Sequence, residues 1–324
     1  MPFLRRIAPA IFLFFLAPLV AEFLLGDLPI TMLGSLVVLA PAYGGGALLI
    51  REIVRRTGRG WPSIALLALA YGISEEAFTT QTLFNPDYLG LHFHLLVPAY
   101  IPLLGMGAWW ALFVLTLHTV WSISVSIALA EAMVPARETT PWLRLPGLVI
   151  DAILFLAASA AVTAFTIHTD AHHFVATVPQ FAGAAIACLV LIALAFRVTA
   201  PSRPATGKAP NFWLTGLGAL ITSSIFMLIP GTWGWSAVAA YLLLYLVVLV
   251  AILNGSRRAG WDGRHRLALA SGTALTYAWH AFFANPVAGH GMLDHRIGNA
   301  IFATGIVIVI AMAARRTAAA AQAG

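Results

Sequence analysis

Charge is what this chain has least of. Only 9% of its 324 residues are Asp, Glu, Lys or Arg and 60% are hydrophobic, against about 25% and about 45–50% in a soluble domain. With a mean hydropathy of +0.90, this balance excludes a soluble globular fold and indicates a polytopic membrane protein. Cysteine is almost absent: Cys188 stands alone in the apolar run Phe181 to Phe196. A single thiol excludes an intrachain disulfide and a thiolate metal site, and leaves the redox compartment unread. No nucleotide-binding loop, dinucleotide fingerprint or G-x-S-x-G elbow occurs, which argues against ATP-driven pumping and serine hydrolysis by those routes. The formal charge is +6, yet the basic residues sit in short clusters between apolar runs. That arrangement speaks for membrane topology and against a nucleic-acid partner.

What the chain has in abundance is apolar runs. A hydrocarbon core about 30 Å thick takes roughly 20 helical residues. Ten runs of about that length are expected as spans: Ile7 to Gly26, Thr31 to Val54, Trp61 to Phe84, Gly107 to Met133, Leu145 to Thr169, Val175 to Val198, Phe212 to Ile229, Trp233 to Leu253, Leu267 to Asn285 and Ile297 to Ala314. The first resembles a signal peptide, but it continues through Leu25 and contains Glu22, so it is read as a retained span.

Arg5 and Arg6 place the N-terminus in the cytoplasm, and with ten spans every basic residue except Arg296 falls on that side. The fold class expected is therefore all-α, a single integral-membrane helical domain over residues 1–324 with both termini cytoplasmic. It carries a polar cytoplasmic linker over about 199–211 and a frayed Ala-rich tail over about 315–324. Histidines show the opposite bias: His92, His94, His168, His172, His173, His290 and His295 fall in outer loops or outer helix ends. The long apolar connection from Asn85 to Met106 is expected to dip into the membrane and cover something.

Against this background, "AYGISEEAFTTQTLFNP", Ala70 to Pro86, places Glu75 and Glu76 inside a span. Ionisable groups there cost about 2.5–3.5 kcal/mol on insertion scales and face the bundle interior with a partner. Adjacent helical residues point about 100° apart, so one acid is expected to meet the chemistry and the other to orient it. In the next span His118, Ser122 and Ser126 recur at spacing four, a polar seam on one face. Counting from the membrane entry points puts His118 at about 16 Å and Glu75 at about 21 Å along their helices, so the two meet near one depth. Tyr277 and His280 lie in the ninth span with Asn285 at its outer end, and Asn85 follows the two acids. These five, Asn85, Ser122, Tyr277, His280 and Asn285, form the expected supporting cluster. Glu22 reads as an interfacial carboxylate, His172 and His173 as a solvated pair, and Gly44 to Gly46 as a close-packing site.

The pattern of two glutamates followed by a histidine in the next span resembles the CPBP family, the CAAX-protease and bacteriocin-processing intramembrane peptidases. That family carries Glu-Glu-x-x-x-Arg, Phe-x-x-x-His and His-x-x-x-Asn or Asp. Here Thr80 stands at the arginine position, Val114 stands four before His118 with Phe113 one place off, and His280 is followed by Ala284 before Asn285. His295 with Asn299, and His290 with Asp294, fit the third spacing. The resemblance implies that Glu75 or Glu76 activates a water and that His118 holds it or the oxyanion. The stretches "AEFLLGDLP", "YGGGALLIREIVRRTGRGW", "AYGISEEAFTTQTLFNP", "LHTVWSISVSIALAEAMVP" and "PWL" are also similar to a group of uncharacterised bacterial multi-pass membrane proteins. That similarity implies no activity, groups Glu75, Glu76, Asn85, Pro86 and His118 as one pattern, and implies the inner (cytoplasmic) membrane as location.

Three functions follow as expectations. The first is an intramembrane hydrolase or peptidase with Glu75, Glu76 and His118 as catalytic residues, acting on a membrane-embedded peptide. The second is a transporter moving protons, a cation or a small solute. The third is a non-catalytic scaffold. A divalent metal would draw on His118 and His280 with Glu75 or Glu76, although no H-E-x-x-H spacing supports it.

Overall fold

The structure, a computed structural model, describes residues 2–198, 205–287 and 292–323. Helix accounts for 75% of the chain. Among the described residues the long helical segments are α1 (Arg5–Leu24), α2 (Ile30–Arg56), α3 (Trp61–Ser74, prolonged by a π-helical turn Glu75–Thr79), α4 (Ala108–Ala132), α5 (Leu145–Thr169), α6 (Val178–Ala195), α7 (Phe212–Leu228), α8 (Trp235–Ser256), α9 (Gly263–His280) and α10 (Met292–Ala323). Each overlaps one of the ten apolar runs read from the sequence, with ends that differ by up to about nine residues. Seven of them, α1, α2, α4, α5, α6, α8 and α10, are long and apolar enough to cross a membrane. Of the other three, α7 has 17 residues, α9 carries a polar first turn, and α3 holds the two glutamates.

Local chemistry sets the helix starts. Pro62 and Pro146 occupy the first turns of α3 and α5, where the missing N–H has no helical partner to lose. Capping boxes open α6, through Thr177 and Gln180, and α9, through Asp262 and His265. The linker includes a short strand, Ala205–Lys208, paired in parallel with Arg258–Ala259. The tail expected to fray is helical to Ala323.

The helices sort into an inner group and a lipid-facing rim. About half of the residues in the apolar windows of α1, α2 and α4 are buried, 50–56%, against 11–22% in α5, α6, α8 and α10. α9 packs along α7 and α10, and α3 along α6 and α4. Glycine allows the closest approach: a Cβ on Gly44 would lie 1.8 Å from the Phe14 carbonyl oxygen, and one on Gly46 2.4 Å from the Tyr71 ring.

At one end of the bundle α2 and α4 are joined by a buried ionic network whose arginines, read from the sequence, serve only topology. Glu131 accepts from Arg51 Nε (3.1 Å), Arg55 Nε (2.8 Å) and Arg55 Nη2 (2.7 Å). Arg51 also donates to Glu52 (2.7 Å) and to the carbonyls of Arg137, Glu138 and Thr140, and its guanidinium lies 3.3 Å from the centre of the Trp142 ring. Glu52 in turn accepts from the N–H groups of Trp142 and Leu143. Arg51 and Glu52 are fully buried, which is tolerated because nearly every donor and acceptor has a partner.

Candidate functional site

The site is built from irregularities in four helices. The backbone widens into π-helical turns at Leu19–Leu24 in α1, Ala40–Gly44 in α2, Glu75–Thr79 at the end of α3 and Leu117–Val125 in α4. Each turn carries one part of a buried polar cluster: Glu22, Tyr43, the Glu75–Glu76 pair and His118. Such turns are rare and concentrate at functional sites. In α1 and α2 a proline, Pro18 or Pro41, stands at the start of the turn and removes a backbone donor. In α4 the Ser122 and Ser126 hydroxyls reach the carbonyls five residues back, Leu117 O at 3.5 Å and Trp121 O at 3.3 Å. Ser122 therefore serves its own helix rather than the cluster.

The α3 helix ends just after the acids, earlier than the expected Phe84. Gln81 takes φ +60, and its carbonyl accepts from Phe84 and Asn85. This reversal returns Thr82 to Glu76. His118 Nε2 lies 2.6 Å from Glu76 Oε1, while Glu76 Oε2 accepts from Thr80 Oγ1 at 3.2 Å and from Thr82. Trp110 Nε1 holds Thr82 at 3.0 Å. Both oxygens of Glu76 are thus engaged. No hydrogen bond ties Glu75 to another helix among the described residues, although it lies within electrostatic range of His118, Glu76 and Glu22.

Around the imidazole, Tyr43 stacks on His118 with ring centres 5.7 Å apart, and Tyr71 meets it edge-on at 5.9 Å. The Tyr43 hydroxyl donates to Glu22 Oε1 at 2.5 Å, so Glu22 belongs to the cluster and is not merely interfacial. Gly72 lets α4 approach, since a Cβ there would lie 3.1 Å from His118 Cβ. Glu75, Glu76 and His118 are all buried, and His118 Nδ1 has no hydrogen-bond partner among the described residues.

Other expected members lie elsewhere. Asn85 donates to Asp170 Oδ2 at 2.9 Å, and Asp170 also accepts from the N–H groups of Leu89, His172 and Phe174. This clasp ties the connection after α3 to the end of α5. Partial burial pushes the Asp170 carboxyl up, but the bonds from Asn85, His172, Phe174 and Leu89 outweigh it and hold it below the usual carboxylate range. Tyr277 is buried but stacks on Trp121 at 4.6 Å, in an aromatic layer between α4 and α9. His280 ends α9 with no bond to Glu76 or His118, and Asn285 is exposed in the turn beyond it. The His295 and Asn299 spacing is a clasp: the two side chains bond the carbonyls of Ala284 and Ala281. His290 lies outside the described residues. Among the described residues no three of His, Cys, Asp or Glu converge to hold a metal, because His280 and His118 occupy separate regions.

The connection from Asn85 to Met106 contains turns and a short antiparallel pair, Tyr100–Ile101 with Met106–Gly107. Val97 and Leu103 are exposed on it, so its apolar residues face outward in part, while its start carries the Asn85 clasp.

The chain matches an uncharacterized membrane protein family over residues 11–323 and belongs to that family. No curated protein and no solved structure matches it.

Proposed function

We propose that this member of the family is an intramembrane hydrolase in which Glu75 is the general base and the Glu76–His118 pair binds the developing oxyanion. The observation that carries the reading is the 2.6 Å contact between two buried ionisable groups, Glu76 and His118, with His118 Nδ1 left without a partner among the described residues and the neighbouring acid, Glu75, bonded to no other helix. Glu76 fixes the ring through Nε2, as a second carboxylate does in many acid–base sites. In the reaction Glu75 takes a proton from water as the resulting hydroxide adds to the substrate carbonyl carbon. His118, held as an imidazolium by Glu76, donates through Nδ1 to the oxyanion. As the carbon–nitrogen or carbon–oxygen bond breaks, the proton passes from Glu75 to the leaving group, giving an acid and an amine or alcohol. Likeness to CPBP peptidases rests on the sequence pattern of Glu75, Glu76 and His118 alone. The proposed topology has ten spans and two cytoplasmic termini in a bacterial inner membrane, which puts the basic clusters on one side.

The test is hydrolysis in 18O-water. Full-length protein in vesicles of whole-membrane extract is expected to yield carboxyl products carrying 18O that are missing with His118→Ala. Identical product spectra for the two proteins would overturn the proposal. A second reading, proton-coupled transport, is favoured by one feature: the Glu22–Tyr43 hydrogen bond extends the titratable groups to α1 and α2. It predicts pH-driven uptake into proteoliposomes that Tyr43→Phe abolishes, and uptake indifferent to that change counts against it.

A further inference from the structure

A groove of about 460 Å³ runs between α2, α3, α5 and α6, with Gly46, Tyr71, Ser74, Phe155, Cys188 and Ile192 among its walls. It lies on the lipid-facing side, since α5 and α6 are the least buried of the spans. Its inner wall is shared with the polar cluster. Tyr71 lines the groove and its ring also meets that of His118, and Ser74 immediately precedes Glu75.

Chemistry restricts what fits. Along α3 the groove extends from Leu67 to Phe78, about 16 Å at the helical rise, and its walls are almost wholly apolar. An extended peptide is excluded by its backbone, whose N–H and C=O groups require partners in a dry wall. The Tyr71 hydroxyl is taken by the Ala42 carbonyl and the Cys188 thiol by that of Ala70, leaving the Ser74 hydroxyl as the unengaged polar group among the described lining residues. A single hydrocarbon chain needs none.

We infer that this groove is a lateral binding site for one acyl chain of a bilayer amphiphile, whose polar linkage is delivered at the Ser74 end to Glu75 and His118. The role of the linkage rests on the hydrolase reading; occupancy of the groove does not. A second apolar groove between α1 and α10, lined by Phe15 and Gly305 among others, has no wall in common with His118 and serves as the control surface.

The experiment uses full-length protein in phosphatidylcholine vesicles doped with a phospholipid carrying a photoreactive diazirine at mid-chain. Adducts are mapped by mass spectrometry. The expected result is labelling concentrated on residues 67–78 and 185–192. Filling the groove by Ala185→Phe, or from its outer rim by Leu189→Trp, is expected to remove that labelling. Gly305→Phe and Glu75→Gln are expected to leave it intact, so a failed hydrolase reading remains distinguishable from an empty groove. Labelling spread over the rim helices in proportion to exposure, or labelling at the groove unchanged in both filled variants, overturns the inference.

Discussion

Removing Glu131 tests how much of the fold depends on the buried ionic network. Its carboxylate takes three charge-assisted hydrogen bonds, two of them the forked pair from Arg55. In Glu131→Ala those donors lose their acceptor where water does not reach, since Arg51 is fully buried and Arg55 nearly so. Breaking such a buried pair costs about 3–5 kcal/mol. At about 2 °C per kcal/mol for a large chain, Tm falls by about 6–10 °C. The comparison is Glu138→Ala, which deletes the partner of Arg266 at 2.6 Å in a pair whose side chains are about a quarter exposed. There the loss is at most about 1 kcal/mol, or about 2 °C. The combined change Arg55→Leu with Glu131→Leu removes the orphaned Arg55 charge along with its partner, leaves only Arg51 Nε without its acceptor, and is expected to recover part of the loss. Thermal unfolding of the purified protein in detergent, followed by tryptophan fluorescence, reads all three. Equal small shifts for Glu131→Ala and Glu138→Ala would refute the reasoning, as would a double variant no better than the single one.

Further consequences can be checked with similar measurements. Gly44→Ala drives a Cβ to 1.8 Å from a backbone oxygen, so its loss exceeds the about 1–3 kcal/mol usual for overpacking; Gly34→Ala, with nothing within 4 Å, leaves Tm unchanged. Because the Asp170 carboxyl is held below its ordinary value, its contribution is fully present above the unfolded value of about 3.9 and is lost as pH falls through the lower folded one. Limited proteolysis of the connection after Asn85 is therefore expected to accelerate in that acid window in the native protein. In Asp170→Asn it is expected to be fast at neutral pH as well. His280→Ala and Asn285→Ala leave 18O incorporation unchanged, since neither side chain bonds the Glu76–His118 pair; loss of incorporation in either would place the site wrongly.

The sequence conveyed the helices better than the site. Apolar run length is a local property, and every run from Ile7 to Ala314 overlaps a helix. It overran where a polar backbone event intervened: α3 stops before Phe84 because Gln81 adopts a left-handed conformation, for which the apolar pattern carries no signal. Glu76 and His118 were legible because a carboxylate and an imidazole within lipid must find partners, and spacing put them at one depth. Glu22 reads as interfacial in the sequence because its partner, Tyr43, belongs to another helix and looks apolar in a hydropathy count. The π-helical turns were not legible, although Pro18 and Pro41 stood at two of them. The Arg51, Arg55 and Glu131 network is hidden for the opposite reason: arginines beside a span satisfy the topology rule without any burial. His280 and Asn285 were grouped with the site by depth alone, which says nothing about the direction in which a side chain points.

The division of labour between the two adjacent acids is tested most directly by measuring 18O incorporation and thermal stability side by side on Glu75→Gln and Glu76→Gln. Glu75 bonds no other helix, so Glu75→Gln is expected to keep its Tm and lose incorporation. Glu76 is bound by His118, Thr80 and Thr82, so Glu76→Gln is expected to lose both. Retained incorporation in Glu75→Gln, or equal destabilisation by the two substitutions, would contradict the assignment of Glu75 as base and Glu76 as the group that holds His118.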